Sequence, residues 1–491
     1  MEKKLLLGDE AIALGAIHAG IRGVYAYPGT PSTEITEYIQ RHPLARARGL
    51  HSTWCTNEKT AVEAALGASY AGARVIACMK HVGLNVAADA FVNAAITGVN
   101  GGMIVVVADD PSMHSSQNEQ DSRFYGKFSM ITTLEPSTQQ EAYDMMQYGF
   151  ELSEREKLPV LMRIVMRLAH SRAAVTVKEE AEEVRALPCA KDPASWVLLP
   201  ANSRRKYAAL VEQQPRLEQA AAEAPYTRYE QASGEKPVGI LACGIGYNYV
   251  TEVREAAEKF NILKITQYPL PADLVRRLAA DSREILVVED GQPFAEELVR
   301  GMLSADYPVR GRLTGDLPRT GELTPDSVAA AMGHRPERYF EAPKNVVGRP
   351  PALCQGCGHR DVYTALNEVV KEYPDARVCR YRLLYIRGFA AFPCHRHLSR
   401  HGGFHYDGQR GGRRWCVSGH SSHRRFHVHP FGHDGVVGCC KRQGADYRHH
   451  IGQPDYGDDR RARLCWYEQV RGDLSGAWGG AGTCARSGAV A

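Results

Sequence analysis

Short apolar runs alternate with stretches of helical spacing along the first 180 residues. The mostly apolar runs Arg74 to Cys78 and Met103 to Ala108 are typical of parallel strands that are buried on both faces. Val24 to Tyr27 ends in a Pro-Gly turn, and Lys59 to Ala71 is alanine-rich with helical spacing. Because strands alternate with helices, we expect an α/β fold with parallel sheets flanked by helices.

The chain of 491 residues is too long for one ordinary hydrophobic core, so we expect several domains. The same alternation predicts a first unit over 1–180 and, after a helical linker over 181–235, a second unit over 236–340. A third unit begins at 350–378 with a cysteine motif and a helix. Residues 379–491 differ from the rest in composition.

Composition excludes some classes of protein. The net charge of +4 is small for this length and gives no argument for nucleic-acid binding. No stretch reaches the roughly 18 apolar residues of a membrane span. The 13 cysteines are scattered, so we expect a cytosolic protein with reduced thiols or metal-cluster ligands and no disulfide framework.

The segment Tyr27 to Glu34 follows a strand and contains two hydroxyl residues, Thr30 and Ser32. Either hydroxyl is a candidate cap for the helix that begins near Glu34. One interpretation is a plain turn and cap. The other puts Thr30 at a ligand site, since open α/β sheets bind ligands at the carboxyl ends of their strands.

Two further polar segments are candidates. Glu58 opens the alanine-rich helix, where an acid is unremarkable because it favours the helix dipole. The dense polar segment Asp109 to Arg123 follows a buried strand, which predicts a loop at the same sheet edge. Arg123 could pair with a substrate carboxylate, although one arginine is a weak signal.

The run Cys354-Gln355-Gly356-Cys357-Gly358-His359 leaves several chemistries open. A lone CxxC with a histidine suggests zinc, a redox pair or iron–sulfur ligation by Cys354 and Cys357. Its glycines would let backbone N–H groups approach a phosphate. Gly244-Ile245-Gly246 lacks the third glycine and the spaced acid of a dinucleotide site, so we do not predict NAD binding.

Five segments occur together in the order YPGTPSTEI, NEKTAVEAALGASYAG, MKHVGLNVAADAF, HSSQNEQDSR and CQGCGHR. With this order and spacing, residues 5–375 resemble the alpha (large) subunits of indolepyruvate:ferredoxin oxidoreductases. The resemblance implies a first domain that binds the aminopyrimidine of thiamine diphosphate and a middle domain like the C-terminal domain of transketolase. It implies a third domain that binds the diphosphate through Mg²⁺, and a following segment with two [4Fe–4S] clusters.

The resemblance also implies residue roles and partners. Glu58 would activate the cofactor, Thr30 would lie near the 2-oxoacid, and Gly356, Cys357 and His359 would lie near the diphosphate. Arylpyruvates are the implied substrates, as in the conversion of indolepyruvate and CoA to indoleacetyl-CoA and CO₂. Electrons would leave through the clusters to ferredoxin, and a smaller beta subunit would complete the enzyme.

The resemblance stops after Val378. Residues 379–491 contain 11 of the 19 histidines and seven of the 13 cysteines, with one lysine, one glutamate and no methionine. The metal motif and the cluster cysteines of the family are missing from the printed frame. This composition leads to the hypothesis that 379–491 is read out of frame.

Codons that start at the second base support this hypothesis. From His420 they can encode IAVIGDSTFTHSGMTGLLDAV, in which GDS looks like the family's metal motif. The rival interpretation is a metal-binding tail, but its histidines and cysteines show no repeated ligand spacing. We therefore expect that the printed chain does not hold thiamine diphosphate and Mg²⁺ normally.

Two alternatives to an arylpyruvate enzyme remain open at this stage. One is a related 2-oxoacid:ferredoxin oxidoreductase that acts on a different keto acid. The other is a truncated, non-catalytic product that only binds a partner subunit.

Overall fold

The computed structural model describes residues 2–184, 186–189, 196–232, 237–253, 259–334, 356 and 358–371. The strands are β1 (Glu2–Leu7), β2 (Gly23–Ala26), β3 (His51–Trp54), β4 (Val75–Lys80), β5 (Met103–Asp109), β6 (Thr133–Leu134), β7 (Val160–Val165), β8 (Arg172–Val177), β9 (Arg228–Glu230), β10 (Gly239–Cys243), β11 (Asn261–Ile265), β12 (Gln267–Tyr268), β13 (Ile285–Val288) and β14 (Val309–Arg310). The helices are α1 (Gly8–His18), α2 (Thr33–Arg41), α3 (Pro43–Ala47), α4 (Glu58–Tyr70), α5 (His81–Thr97), α6 (Arg123–Phe128), α7 (Gln139–Glu156), α8 (Met166–His170), α9 (Pro200–Ala222), α10 (Gly246–Glu252), α11 (Ala272–Asp281), α12 (Phe294–Met302), α13 (Pro325–Ala331) and α14 (Gly358–Lys371).

A seven-stranded sheet forms the larger layer, in the order β12-β6-β7-β5-β4-β2-β3. Its strands are parallel except for β12, which runs antiparallel to β6. Every residue of β4 and β5 is buried, because helices cover both faces of the sheet. The predicted α/β fold with parallel sheets flanked by helices is confirmed.

Two apolar clusters lie on opposite faces of this sheet. One face packs against α1, α2 and α7, and the other packs against α4, α5 and α9. The alanine-rich helix α4 follows its prediction within one residue at each end. Its small side chains Ala61 and Ala65 are fully buried, so they permit close packing on the sheet.

The first strand pairs outside the large sheet. The N-terminal leucines belong to strand β1. It runs antiparallel to β8 in a separate two-stranded sheet, with Leu7 opposite Arg172.

A second sheet of five strands follows, in the order β14-β13-β10-β11-β9. Its four later strands are parallel, and β9 is antiparallel at the edge. The segment expected to be an exposed helical linker supplies both β9 and α9. Leu210 and Leu217 of α9 are buried in the core of the first sheet, so this helix is a packed element.

The two sheets share a continuous stretch of chain. The strand β11 belongs to the second sheet, and β12 directly after it adds to the edge of the first, with Gln267 opposite Leu134. The backbone N–H of Glu135 also donates to the carbonyl of Thr266 at 2.8 Å. The second sheet is therefore hydrogen-bonded to the first.

A buried network of charged side chains lies where the two sheets meet. Arg163 of β7 donates to Asp109 Oδ2 at 2.6 Å, contacts Glu135, and donates to the carbonyl of Asp290 at 2.7 Å. Arg123 pairs with Asp121 at 2.5 Å and with Glu289 at 2.9 Å. Because Asp290 and Glu289 follow strand β13, these contacts connect the two sheets.

The network contains more carboxylates than cations, and the neighbouring guanidinium groups shift the pKa values of these carboxylates to different extents. Burial raises the pKa of Asp290 to about 6, although Arg312 opposes the shift. At Asp121 burial acts in the same direction, but the guanidinium groups of Arg123 and Arg163 prevail and lower the pKa to about 2. The network thus holds Asp121 ionised to low pH, whereas Asp290 takes up a proton at a higher pH than an ordinary aspartate does.

Among the described helices, none combines the length and the apolarity needed to cross a membrane.

We predict that Arg163→Met lowers the free energy of unfolding by about 3–5 kcal/mol, because it leaves buried carboxylates without their cation. Urea denaturation followed by circular dichroism measures the change. Arg41→Met is the control: Arg41 forms an exposed pair with Glu37 on α2, so its loss should change stability by no more than about 0.5 kcal/mol. Equal effects of the two substitutions would contradict the importance of the network.

Candidate active-site crevice

The carboxyl ends of the parallel strands lie at one edge of the large sheet. After β2 the chain crosses on one face through α2, and after β4 it crosses on the other face through α5. The neighbouring strands β2 and β4 therefore mark a switch point in the topology. In open α/β sheets such a point leaves a crevice in which ligands bind.

The turn after β2 forms one wall of this crevice. Gly29 N–H donates to Thr33 Oγ1 at 3.0 Å, and Ser32 Oγ donates to the carbonyl of Gly29 at 2.8 Å. Since the Ser32 hydroxyl is used within the turn, neither predicted residue caps α2 through its side chain. Thr30 is exposed at the tip of the turn.

Glu58 lies at the same edge of the sheet. It is the first residue of α4, next to the cap Asn57, whose side chain accepts from Thr60 N–H at 2.9 Å. Glu58 is only 5% exposed, and it packs against Gly83 of α5. A Cβ at Gly83 would lie 2.5 Å from Glu58 Oε1, so a larger residue there would displace the carboxylate.

Lys80 and His81 stand between these two features, at the junction of β4 and α5. Both are buried. Lys80 Nζ donates to the carbonyl of Ser115 at 3.3 Å, and His81 Nε2 donates to the carbonyl of Asn118 at 3.1 Å. The sequence prediction assigned no role to either residue or to Gly83, although all three lie in the segment MKHVGLNVAADAF, one of the five that carry the resemblance.

The polar segment after β5 lies over the same edge, as expected. Asp110 organises it by accepting from His114 N–H at 3.0 Å, Ser115 N–H at 2.9 Å and Ser116 Oγ at 2.6 Å. Burial opposes ionisation, but these donors hold the pKa of Asp110 below its ordinary value. Ser115 Oγ then donates to the carbonyl of Thr30 at 3.3 Å, so this loop meets the turn after β2.

Arg123 lies in the buried network between the two sheets. Its side chain is fully buried, and the guanidinium group pairs with Asp121 and Glu289 and donates to the carbonyl of Gln292 at 3.0 Å. With its donors used in the network between the sheets, it has none to offer a substrate carboxylate. The suggested substrate role of Arg123 is therefore corrected to a structural one.

The cysteine motif is described only in part. Cys354 and Cys357 lie outside the described residues, as does the side chain of His359. Gly356 is exposed with a φ of 75°, a conformation that favours glycine. The predicted helix after the motif is present as α14, which begins at Gly358.

Comparison with known proteins agrees with this fold. Residues 14–235 match the family model described as pyruvate flavodoxin/ferredoxin oxidoreductase, thiamine diphosphate-binding. A solved structure of 2-oxoglutarate:ferredoxin oxidoreductase from Magnetococcus marinus superposes with a TM-score of 0.56 at 18% identity, over 67% of this chain and 65% of that one. The chain thus contains a thiamine diphosphate-binding domain of the 2-oxoacid oxidoreductase class.

Relatives of higher sequence identity indicate a particular family within this class. The chain is 39% identical to indolepyruvate oxidoreductase subunit IorA of Archaeoglobus fulgidus over 393 residues, which is 76% of this chain and 62% of that protein. It is also 39% identical to the subunit of the same name from Pyrococcus horikoshii, over 75% of this chain and 59% of that protein. Over its matched residues the chain belongs to this family, which confirms the resemblance. It spans about three fifths of the length of these relatives.

We predict that Asp110→Ala increases the amide exchange rates of His114 and Ser115 by roughly ten- to a hundredfold, since each loses a charge-assisted hydrogen bond. Hydrogen–deuterium exchange measures these rates. Because the pKa of Asp110 is lowered, protection in the unmodified chain should persist as the pH falls and be lost only below the ordinary carboxyl range. Asp89→Ala, on the exposed side of α5, is the control and should leave both amides unchanged. Unaltered exchange in Asp110→Ala would contradict the assigned role.

Proposed function

We propose that this chain is the large subunit of a ferredoxin-dependent arylpyruvate oxidoreductase. The reaction would convert indolepyruvate and CoA to indoleacetyl-CoA and CO₂, with two electrons passed to ferredoxin. The observation that carries the proposal is the buried carboxylate of Glu58 in the crevice at the switch point of a thiamine diphosphate-binding fold. The names of the relatives support the choice of indolepyruvate.

The residues of the crevice fit the aminopyrimidine half of thiamine diphosphate. A carboxylic side chain is the group that this ring requires at its nitrogen, and Glu58 is fixed at a helix start by the cap at Asn57. The absence of a side chain at Gly83 leaves room for the carboxylate. Glu58 would hold a proton between its carboxyl group and the ring nitrogen of the bound cofactor.

When bound, thiamine diphosphate supplies the electron sink for decarboxylation of the 2-oxoacid. Thr30, at the exposed tip of its turn, would contact the substrate. Lys80 would add positive charge near a substrate carboxylate, and its contact with Ser115 keeps it at the crevice. The loop that Asp110 organises would limit the access of water to this edge.

The diphosphate half of the site belongs to the later part of the chain. Gly356, Cys357 and His359 are the residues that we assign near the diphosphate, and Mg²⁺ would be bound by a motif encoded beyond Val378. The [4Fe–4S] clusters that pass electrons to ferredoxin require cysteine ligands, for which Cys354 and Cys357 are weaker candidates than the family's own cluster cysteines. A beta subunit would complete the enzyme, in keeping with the relatives' designation as subunits.

We expect that resequencing the codons for Arg377 to Arg382 reveals a missing or added base. A gene corrected there should yield a chain that, with its beta subunit, binds thiamine diphosphate and reduces ferredoxin. The chain as printed should do neither, because its frame lacks the metal motif. Calorimetry of thiamine diphosphate binding and ferredoxin reduction, with indolepyruvate, phenylpyruvate and pyruvate as substrates, measure both chains.

The outcomes separate the alternatives. Ferredoxin reduction by the printed chain would contradict the frameshift hypothesis. If the printed gene is confirmed and its product binds a beta subunit without turnover, the product is a non-catalytic subunit. A preference for pyruvate over both arylpyruvates would contradict the proposed substrate class.

In the frame-corrected enzyme, Glu58→Gln should lower kcat by about 10²- to 10⁴-fold, because a proton-transferring carboxyl group is lost. Ferredoxin reduction with saturating indolepyruvate measures kcat. The matched control is Glu63→Gln on the same helix, where the glutamate is exposed and pairs with Lys59. Normal turnover in Glu58→Gln, or an equal loss in Glu63→Gln, would contradict the assignment of Glu58.

A further inference from the structure

Three potential metal ligands meet beside the first sheet, outside the residues assigned to the crevice. Asp9 lies in the first turn of α1, Glu34 in the first turn of α2, and His170 at the end of α8. One ligand atom from each lies within 4.8 Å of the others. His170 Nε2 is 3.5 Å from a carboxylate oxygen of Glu34.

A glycine at the start of α1 brings these groups together. A Cβ at Gly8 would lie 2.2 Å from the carbonyl oxygen of Leu168, so only glycine lets α1 approach α8 this closely. Asp9 follows directly on α1, and His170 is two residues beyond Leu168. The α2 helix, which carries Glu34, packs against α1.

Asp9 has no hydrogen-bond partner among the described residues. Its side chain is fully buried, and neither carboxylate oxygen accepts a hydrogen bond. Its neighbour Glu10 caps the start of α1 instead, because Glu10 accepts a hydrogen bond from Leu7 N–H at 2.8 Å. Glu34 Oε2 and His170 Nε2 are also buried without a hydrogen-bond partner in the described part of the chain. A buried carboxylate without a partner is unfavourable, and a cation would satisfy it.

We infer that Asp9, Glu34 and His170 bind a divalent first-row transition metal ion. Two carboxylate oxygens and one imidazole nitrogen suit ions such as Mn²⁺, Fe²⁺ or Zn²⁺. Mg²⁺ and Ca²⁺ prefer oxygen ligands alone. Glu34 and His170 are 37% and 30% exposed as side chains, which gives the ion a route from solvent.

The ion would connect three helices. Glu34 comes four residues after Thr30, so a bound metal would anchor the start of α2, and with it the turn at the crevice, to α1 and α8. The inference does not depend on the proposed enzymatic reaction, because it concerns a different set of ligands and a readout without turnover.

Electron paramagnetic resonance with Mn²⁺ alone, on the full chain without thiamine diphosphate, tests this site. We expect Asp9→Asn, Glu34→Gln and His170→Gln each to weaken Mn²⁺ binding by at least about tenfold. Glu37→Gln, an exposed position on the same helix as Glu34, should bind as the unmodified chain does. The histidines of 379–491 are the same in every variant, so Mn²⁺ held there does not change between them.

Thermal unfolding provides the second measurement. Mn²⁺ should raise the Tm of the unmodified chain and of Glu37→Gln, but not that of Asp9→Asn. Without metal, Asp9→Asn should be at least as stable as the unmodified chain, because it removes a buried carboxylate that lacks donors. Should Asp9→Asn fail to fold, the other two ligand variants carry the test. The site is disproved if these variants bind Mn²⁺ as tightly as the unmodified chain, or if the unmodified chain binds none.

Discussion

The buried charge network between the two sheets is the constraint on which the rest of the structure depends. Arg163 and Arg123 reach carboxylates and carbonyls on both sheets, and the paired carboxylates are almost completely buried. Removing one member would leave its partners charged and buried, which costs far more than an exposed ion pair contributes. The second sheet is therefore fixed in one position on the first.

The same network determines the geometry of the crevice. The loop after β5 starts at Asp109 and ends at Asp121, and both acids pair with its arginines. Between these ends, Glu119 accepts from Gly321 N–H at 3.0 Å and Ser112 Oγ accepts from Glu322 N–H at 2.7 Å. The loop is thus held at both ends by the network and in its middle by residues of the second unit. This arrangement places Asp110 and its neighbours over the turn that carries Thr30.

Sequence reasoning succeeds where the deciding forces are local. Mostly apolar runs predicted β4 and β5, because a strand buried on both faces has no polar side. The role of Arg123 depended on Glu289, which is 166 positions away in the chain, and no pattern near Arg123 reveals that pairing. The packing of Glu58 against Gly83 likewise joins two helices, so spacing within either one does not predict it.

Two first-turn acids show the limit of the helix-dipole interpretation. Asp9 and Glu58 both lie in the first turn of a helix, where the dipole favours an acid. The fold gives them different surroundings. Glu58 lies at the carboxyl edge of the sheet, where a glycine leaves space beside its carboxylate. Asp9 faces a second acid and an imidazole, with no donor among the described residues. Because the dipole acts on both alike, the chemistry that we propose for each acid rests on its neighbours: proton exchange with a ring nitrogen at Glu58, and metal binding at Asp9.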